Sequence, residues 1–175
     1  MLSRHYKSMK KNALYFLIIS VAFLLDQITK ILIQNSLTMY ETRVIIKGLL
    51  NFTYVLNRGT IFGFFSNATH GATRLITFLS IIAIGFVIYI FIKTPLEQKT
   101  IKVALSLILG GAFGNLWNRI FNLWVIDFID LHYKKFHWPT FNLADTFITI
   151  GAFIIVLDIL YIKRKKTRRT DCTLS

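Results

Sequence analysis

Cysteine is nearly absent from this chain of 175 residues: Cys172 stands alone near the carboxyl end. No disulfide can form within the chain, and a catalytic thiol is not expected from a residue in a basic tail. Carboxylates are scarce too, eight against 21 lysines and arginines, which leaves a formal charge of +13. There is no HExxH helix for zinc, no evident Ser-His-Asp set, no internal repeat and no low-complexity segment. Nor is there room for a separate soluble domain. In a soluble protein such a basic balance would suggest nucleic acid, but 54% of these residues are hydrophobic and they gather into long runs.

Four of those runs are long enough for a hydrocarbon layer of about 30 Å, which takes about 20 helical residues. They cover about residues 12–34, 72–93, 103–122 and 141–162. The expected fold is therefore an α-helical membrane protein, a single integral domain over residues 1–175 with four transmembrane helices. Ser20-Val21-Ala22 weakly resembles a cleavage site, but the apolar run continues to Ile33, so the first helix reads as uncleaved.

Basic residues orient the spans. Arg4, Lys7, Lys10 and Lys11 precede the first; Lys93, Lys99 and Lys102 flank the link between the second and third; Lys163 to Arg169 close the chain. In a four-span topology these regions share one side and hold 13 of the 21 basic residues. The positive-inside rule puts both termini in the cytoplasm and the two longer loops outside. The tail KRKKTRR then reads as a stop-transfer and headgroup anchor, so membrane lipids are expected partners and nucleic acid is not.

The first outer loop has strand character. Val44-Ile45-Ile46 and Leu49 to Val55 are rich in β-branched and aromatic residues, with a turn at Lys47-Gly48, so a small extracytoplasmic β-sheet is expected within about 43–66. Asn57-Arg58-Gly59 follows, then the apolar stretch Ile61–Phe65, suited to dip among headgroups. The second outer loop, VIDFIDLHYKKFHWP, leads to FNLAD at the mouth of the fourth span.

Polar residues inside the spans share one depth. At 1.5 Å per residue Asp26 lies about 21 Å along the first helix, in its outer third, with Lys30 one turn further on the same face. Asn115, Asn118 and Arg119 come about 18–24 Å along the third, and Asp145 about 6 Å into the fourth. Intramembrane charges are costly and tend to be paired or functional. A layer of them from three helices reads as a water-accessible site near the outer surface; a network that only locks the helices together is the alternative. Gly110, Gly111 and Gly114 fit close helix approach. A transporter or assembly factor would need the polar path to continue inward, and the inner half holds little beyond Asp158.

Among side chains that could do chemistry there, His5 falls on the inner side and His70, His132 and His137 in outer loops. Asp130, His132 and His137 could in principle hold a metal, but their spacing matches no familiar zinc motif, so no metal or cofactor is expected. What remain on the outer side are the carboxylates of Asp26, Asp127, Asp130 and Asp145. Two close carboxylates share one proton, and one then serves as base while the other serves as acid. Such a pair activates water for peptide hydrolysis. Asp26 has Lys30 as a partner and looks structural. Asp127 or Asp130 could reach Asp145; the apolar neighbours Ile126 and Phe128 favour Asp127, and Asp130 looks more solvated.

DQITK, NRG, GGAFGNLWNR, VIDFID and FNLAD occur in that order from Asp26 to Asp145. Together they resemble the bacterial lipoprotein signal peptidases (signal peptidase II), intramembrane aspartic endopeptidases of the inner membrane. The resemblance implies substrates that are prolipoproteins carrying a diacylglyceryl cysteine, cut just before that cysteine, and sensitivity to the cyclic peptide globomycin. It implies a catalytic dyad of Asp127 and Asp145, with Asp26, Lys30, Asn57, Gly59, Asn115, Arg119, Asn142 and Ala144 shaping the site or contacting substrate, and a monomeric enzyme. Two positions depart from the family pattern. Asn118 stands where an Asp is usual; an amide cannot act as a base, though it could orient Arg119. Thr60-Ile61-Phe62 replaces small alanines.

Overall fold

The computed structural model describes the backbone of residues 2–59, 70–134 and 136–173, with side chains over 12–59, 71, 73–134 and 136–161. The stretch Ile61–Phe65 and the Thr60-Ile61-Phe62 departure lie outside the described residues. The elements are α1 (Leu2–Ser36), β1 (Thr42–Ile46), β2 (Leu50–Asn57), α2 (His70–Lys93), α3 (Lys99–Asn122), β3 (Val125–Tyr133), β4 (Phe136–His137) and α4 (Leu143–Thr173). Among the described residues four segments are long and apolar enough to cross a membrane, Asn12–Ser36, Thr73–Lys93, Lys99–Asn122 and Leu143–Tyr161. They fall within a few residues of the runs read from the sequence.

The least greasy span is the innermost. α3 has a mean hydropathy of 1.3 over its most apolar window, against 2.0 to 2.8 for the others, and packs against α1, α2 and α4. A helix that faces protein on most sides need not be lipophilic all round, and its polar residues have partners instead of hydrocarbon. Its glycines are where neighbours press closest. A methyl on Gly110 would collide with Ala22 and the Ile19 carbonyl of α1, one on Gly114 with the Asp26 carboxylate, and one on Gly111 with the Ala144 carbonyl of α4. At the opposite end of α3, Lys102 is buried: its Nζ donates to the Phe91 carbonyl at 2.6 Å and lies 4.0 Å from the Phe91 ring centroid. That ammonium caps a carbonyl in the last turn of α2, where the helix dipole is negative.

Beyond the spans, at the end where α1 and α3 finish and α4 begins, sits an antiparallel sheet of four strands in the order β1-β2-β3-β4. β1 and β2 form the hairpin expected from the first loop, turning at Gly48 with φ +80°. The other two strands come from the second loop, which the sequence reading left without structure. β3 pairs along β2 with Asn51 opposite Asp130 and Val55 opposite Asp127, and β4 pairs His137 with His132. The physical reason it escaped notice is burial. Val125, Ile126, Asp127 and Phe128 are all buried, so the in–out alternation that marks a half-exposed strand is missing. Ile126 and Phe128 join Ile33 of α1 and Leu37 just beyond it in a core that seats the sheet on the bundle. Phe128 meets Phe52 edge-on, ring centroids 5.8 Å apart.

Candidate active site

Residues from α1, β2, α3, β3, α4 and the turns that follow β2 and precede α4 converge just below the sheet. α1 supplies Asp26 and Lys30, both essentially without solvent exposure. The Lys30 ammonium donates to Asp26 Oδ2 at 2.8 Å, Asn115 Oδ1 at 2.9 Å and Asn118 Oδ1 at 2.8 Å, so all three of its protons are engaged. The pairing of Asp26 with Lys30 read from their spacing is thus present. Asp26 reaches further than that reading foresaw. Its Oδ1 accepts the Ala144 backbone N–H at 3.0 Å, one of the donors that the first turn of a helix leaves without intrahelical partners. Gln27, quoted in the motif but given no role, donates to Asp26 Oδ2 at 2.9 Å and to the Gly114 carbonyl at 3.1 Å.

Asn142 is the joint of the site. It caps α4: its Oδ1 accepts the Asp145 N–H at 3.0 Å, and Asp145 Oδ2 accepts the Asn142 N–H at 3.2 Å. This is a capping box written with Asn and Asp. The same fully buried side chain donates from Nδ2 to Asp127 Oδ1 at 2.7 Å and to Asn115 Oδ1 at 3.1 Å. Asn115 in turn donates to Asp145 Oδ1 at 2.8 Å. A continuous chain of hydrogen bonds therefore runs from Asp26 through Lys30, Asn115 and Asn142 to both Asp127 and Asp145. Asp127 Oδ2 takes a further bond, 2.8 Å from Asn57 Nδ2, while Asn57 Oδ1 accepts the Gly59 N–H at 2.8 Å. Gly59 has φ +114°, and a methyl there would collide with Ile76, so that turn requires glycine.

The two carboxylates differ in setting. Asp127 is 3% exposed, and burial first, then the negative charge of Asp145, raise its pKa to about 6. Asp145 is half-buried and opens on two apolar grooves. One, of about 350 Å³, is walled by Leu131, Trp138, Phe141 and Ile150. The other, of about 310 Å³, lies between α2, α3 and α4 and includes Arg119. Among the described residues the buried Nε of Arg119 has no hydrogen-bond partner.

All ten predicted site residues come together here: Asp26, Lys30, Asn57, Gly59, Asn115, Arg119, Asp127, Asn142, Ala144 and Asp145. Two expectations need correction. Asn118 does not orient Arg119; its Oδ1 faces Lys30. Asp130 cannot substitute for Asp127, because residues three apart in a strand point to opposite faces. Nor is it solvated, being 6% exposed and bonded to His137 at 2.9 Å and Asn51 at 3.1 Å. Burial pushes its carboxyl up, but those hydrogen bonds outweigh burial and hold it below the ordinary range. Asp130, His132 and His137, set aside as metal ligands on their spacing in sequence, do meet in space, with ligand atoms within 4.8 Å of one another.

The chain is similar to known proteins over most of its length. The chain is 37% identical over 161 residues to the lipoprotein signal peptidase of Syntrophus aciditrophicus, covering 91% of this chain and all of that one. It is 36% identical over 160 residues to the lipoprotein signal peptidase of Haemophilus influenzae strain KW20, covering 91% and 93%. A bacterial membrane enzyme solved by the in meso method superimposes with a TM-score of 0.77 at 30% identity, over 88% of this chain and 92% of that one. The family described as signal peptidase (SPase) II matches residues 18–161, and with four membrane-spanning helices around this layer of carboxylates and amides, the chain belongs to that family of membrane peptidases.

Proposed function

We propose that this protein removes the signal peptide from prolipoproteins whose cysteine carries a diacylglyceryl group, hydrolysing the bond just before that cysteine, with Asp127 and Asp145 as the acid–base pair. The observation that carries the reading is the pair itself: two aspartates tied to one buried residue, Asn142, Asp127 through its side-chain amide and Asp145 through its backbone N–H, at the rim of a membrane bundle. Asp127, held at about 6, is the member that carries the shared proton. Asp145, open to both grooves, takes a proton from water as the oxygen attacks the scissile carbonyl carbon. Asp127 protonates the carbonyl oxygen, and the tetrahedral diol then collapses. A proton passes to the leaving amine, and the pair returns to one shared proton. The free Nε of Arg119 suits a substrate carbonyl or lipid oxygen, and Asn57 and Asn142 hold Asp127 in register.

Orientation follows from charge. The basic ends of α1 and α4 lie in the cytoplasm, and the sheet and dyad lie at the outer face of the inner membrane, where a lipid-anchored substrate presents its cleavage site. The enzyme works as a single integral unit and as a monomer, with membrane lipids around its spans. Purified protein is expected to cleave a diacylglyceryl-modified lipobox peptide but not its unlipidated counterpart, and globomycin is expected to block it. Equal cleavage of both peptides, or none of either, overturns the reading.

The pH dependence has a definite sign. Because the Asp127 pKa is raised, the proton is in place below about 6 and is lost above it. The expected kcat/KM falls by about tenfold per unit above about pH 6, with an apparent pKa that belongs to the pair. A flat profile from about pH 5.5 to 8 would contradict a shared proton.

A further inference from the structure

The second cluster of titratable groups lies on the outer sheet, on the face of β3 opposite Asp127, and the proposed peptidase chemistry makes no use of it. Strand geometry brings it together. Asp130 and His132 are two apart on β3 and so share a face. The β3–β4 register sets His137 directly across from His132. Two imidazoles and a carboxylate thus meet on one side of a short hairpin, ligand atoms within 4.8 Å of one another. Such convergence is invisible to a search for helical His spacing, because here a turn, not a helix, closes the distance.

The details favour a cation. The imidazole rings lie nearly parallel, 11° apart with centroids 4.9 Å distant, so two groups that repel when protonated are held side by side. Asp130 Oδ1 takes His137 Nδ1 at 2.9 Å. The other Asp130 oxygen is braced by Asn51 Nδ2 at 3.1 Å, and the same amide makes a long contact, 3.4 Å, to His132 Nδ1. Asn51 is only 8% exposed, yet its Oδ1 has no partner among the described residues. Exchanging the two ends of that amide would set Oδ1 against Asp130 Oδ2 and His132 Nδ1. In that orientation three acceptors would face one another around a point where a cation could sit.

We propose that Asp130, His132 and His137, with Asn51 as a fourth oxygen donor, bind one divalent transition-metal ion of the zinc class on the outer face of the protein. Two imidazoles, a carboxylate and an amide oxygen make a four-coordinate nitrogen–oxygen set that suits Zn(II), and Mg(II) and Ca(II), which take oxygen ligands, fit it poorly. The ion clamps β4 to β3. Phe141 is bonded to Ile129 of β3 and precedes the capping Asn142, so the clamp stiffens the strand that carries Asp127 and the approach to α4. Its role is structural.

The test is equilibrium dialysis of the full-length protein, without a polyhistidine tag, in detergent against micromolar Zn(II), with Co(II) as a spectroscopic probe. The expected result is one tightly held zinc per chain, a cobalt d–d spectrum of a nitrogen–oxygen site, and a melting temperature that drops on adding EDTA. His137→Ala, on a half-exposed side chain, should weaken zinc binding by more than about tenfold and abolish the EDTA effect. Its stability in EDTA should match that of the wild type in EDTA. His132→Ala provides the second variant. No bound zinc, or zinc whose affinity neither variant changes, overturns the site; the latter would place the ion elsewhere on the chain.

Discussion

Asp127→Asn and Asp145→Asn are each expected to lower the cleavage rate of a diacylglyceryl-modified lipobox peptide by about 10²–10⁴-fold, the range that positioned acid–base groups contribute. The more informative variant is the double one. If the two carboxylates share a proton and act as a unit, as proposed, removing both should cost hardly more than removing either. Multiplicative losses would mean that each aspartate works alone. Asp127→Asn brings a new amide donor against the donors of Asn57 and Asn142, so some thermal stability is lost with the activity. Rates are therefore compared at a temperature well below both transitions, with globomycin binding as a check that the grooves are intact. Asp158→Asn, well along α4 from the dyad, should leave the rate unchanged.

The parts of this site that could be read from the sequence are those set by helical spacing. Hydropathy gave the spans, and a rise of 1.5 Å per residue was enough to place Asp26, Lys30, Asn115, Arg119 and Asp145 at one level. The strand residues were harder. Without knowing that VIDFIDLHY is a buried strand, nothing in the spacing decides whether Asp127 or Asp130 meets Asp145; once it pairs with β2, the two are on opposite faces and only one can. The same missing strand hid the meeting of Asp130 with two histidines. Asn142 and Ala144 were identified by motif resemblance alone. Their physical parts, a cap joined to both carboxylates and a backbone N–H anchored on Asp26, depend on contacts between α1, α3 and α4, residues more than 100 positions apart in one case. Asn118 shows how a fitting local argument can mislead: it lies next to Arg119 in sequence, but one step around a helix is about 100°, and its amide faces α1 instead.

Lys30→Met is expected to cost roughly 3–5 kcal/mol of stability, the usual loss when one member of a buried ion pair is removed. The ammonium neutralises Asp26 and satisfies the side-chain oxygens of Asn115 and Asn118, and none of these has water to turn to. Removing both charges, in Lys30→Met with Asp26→Leu, should restore part of that loss, since a buried pair replaced by apolar side chains is often nearly neutral. Activity should not follow. Asp26 Oδ1 holds the Ala144 N–H, one residue before Asp145, and Lys30 fixes the Asn115 amide that donates to Asp145. With both ties cut the first turn of α4 is free to shift, and displacements of about 1 Å in a catalytic group can cost about 100-fold in rate. The expected pattern is thus a double variant that melts higher than Lys30→Met yet cleaves no faster. Recovery of activity together with stability would show that the pair serves only to hold the helices together. Failure of the double variant to regain stability would show that the hydrogen bonds to Asn115, Asn118 and Ala144, more than the charge pair, hold this layer in place.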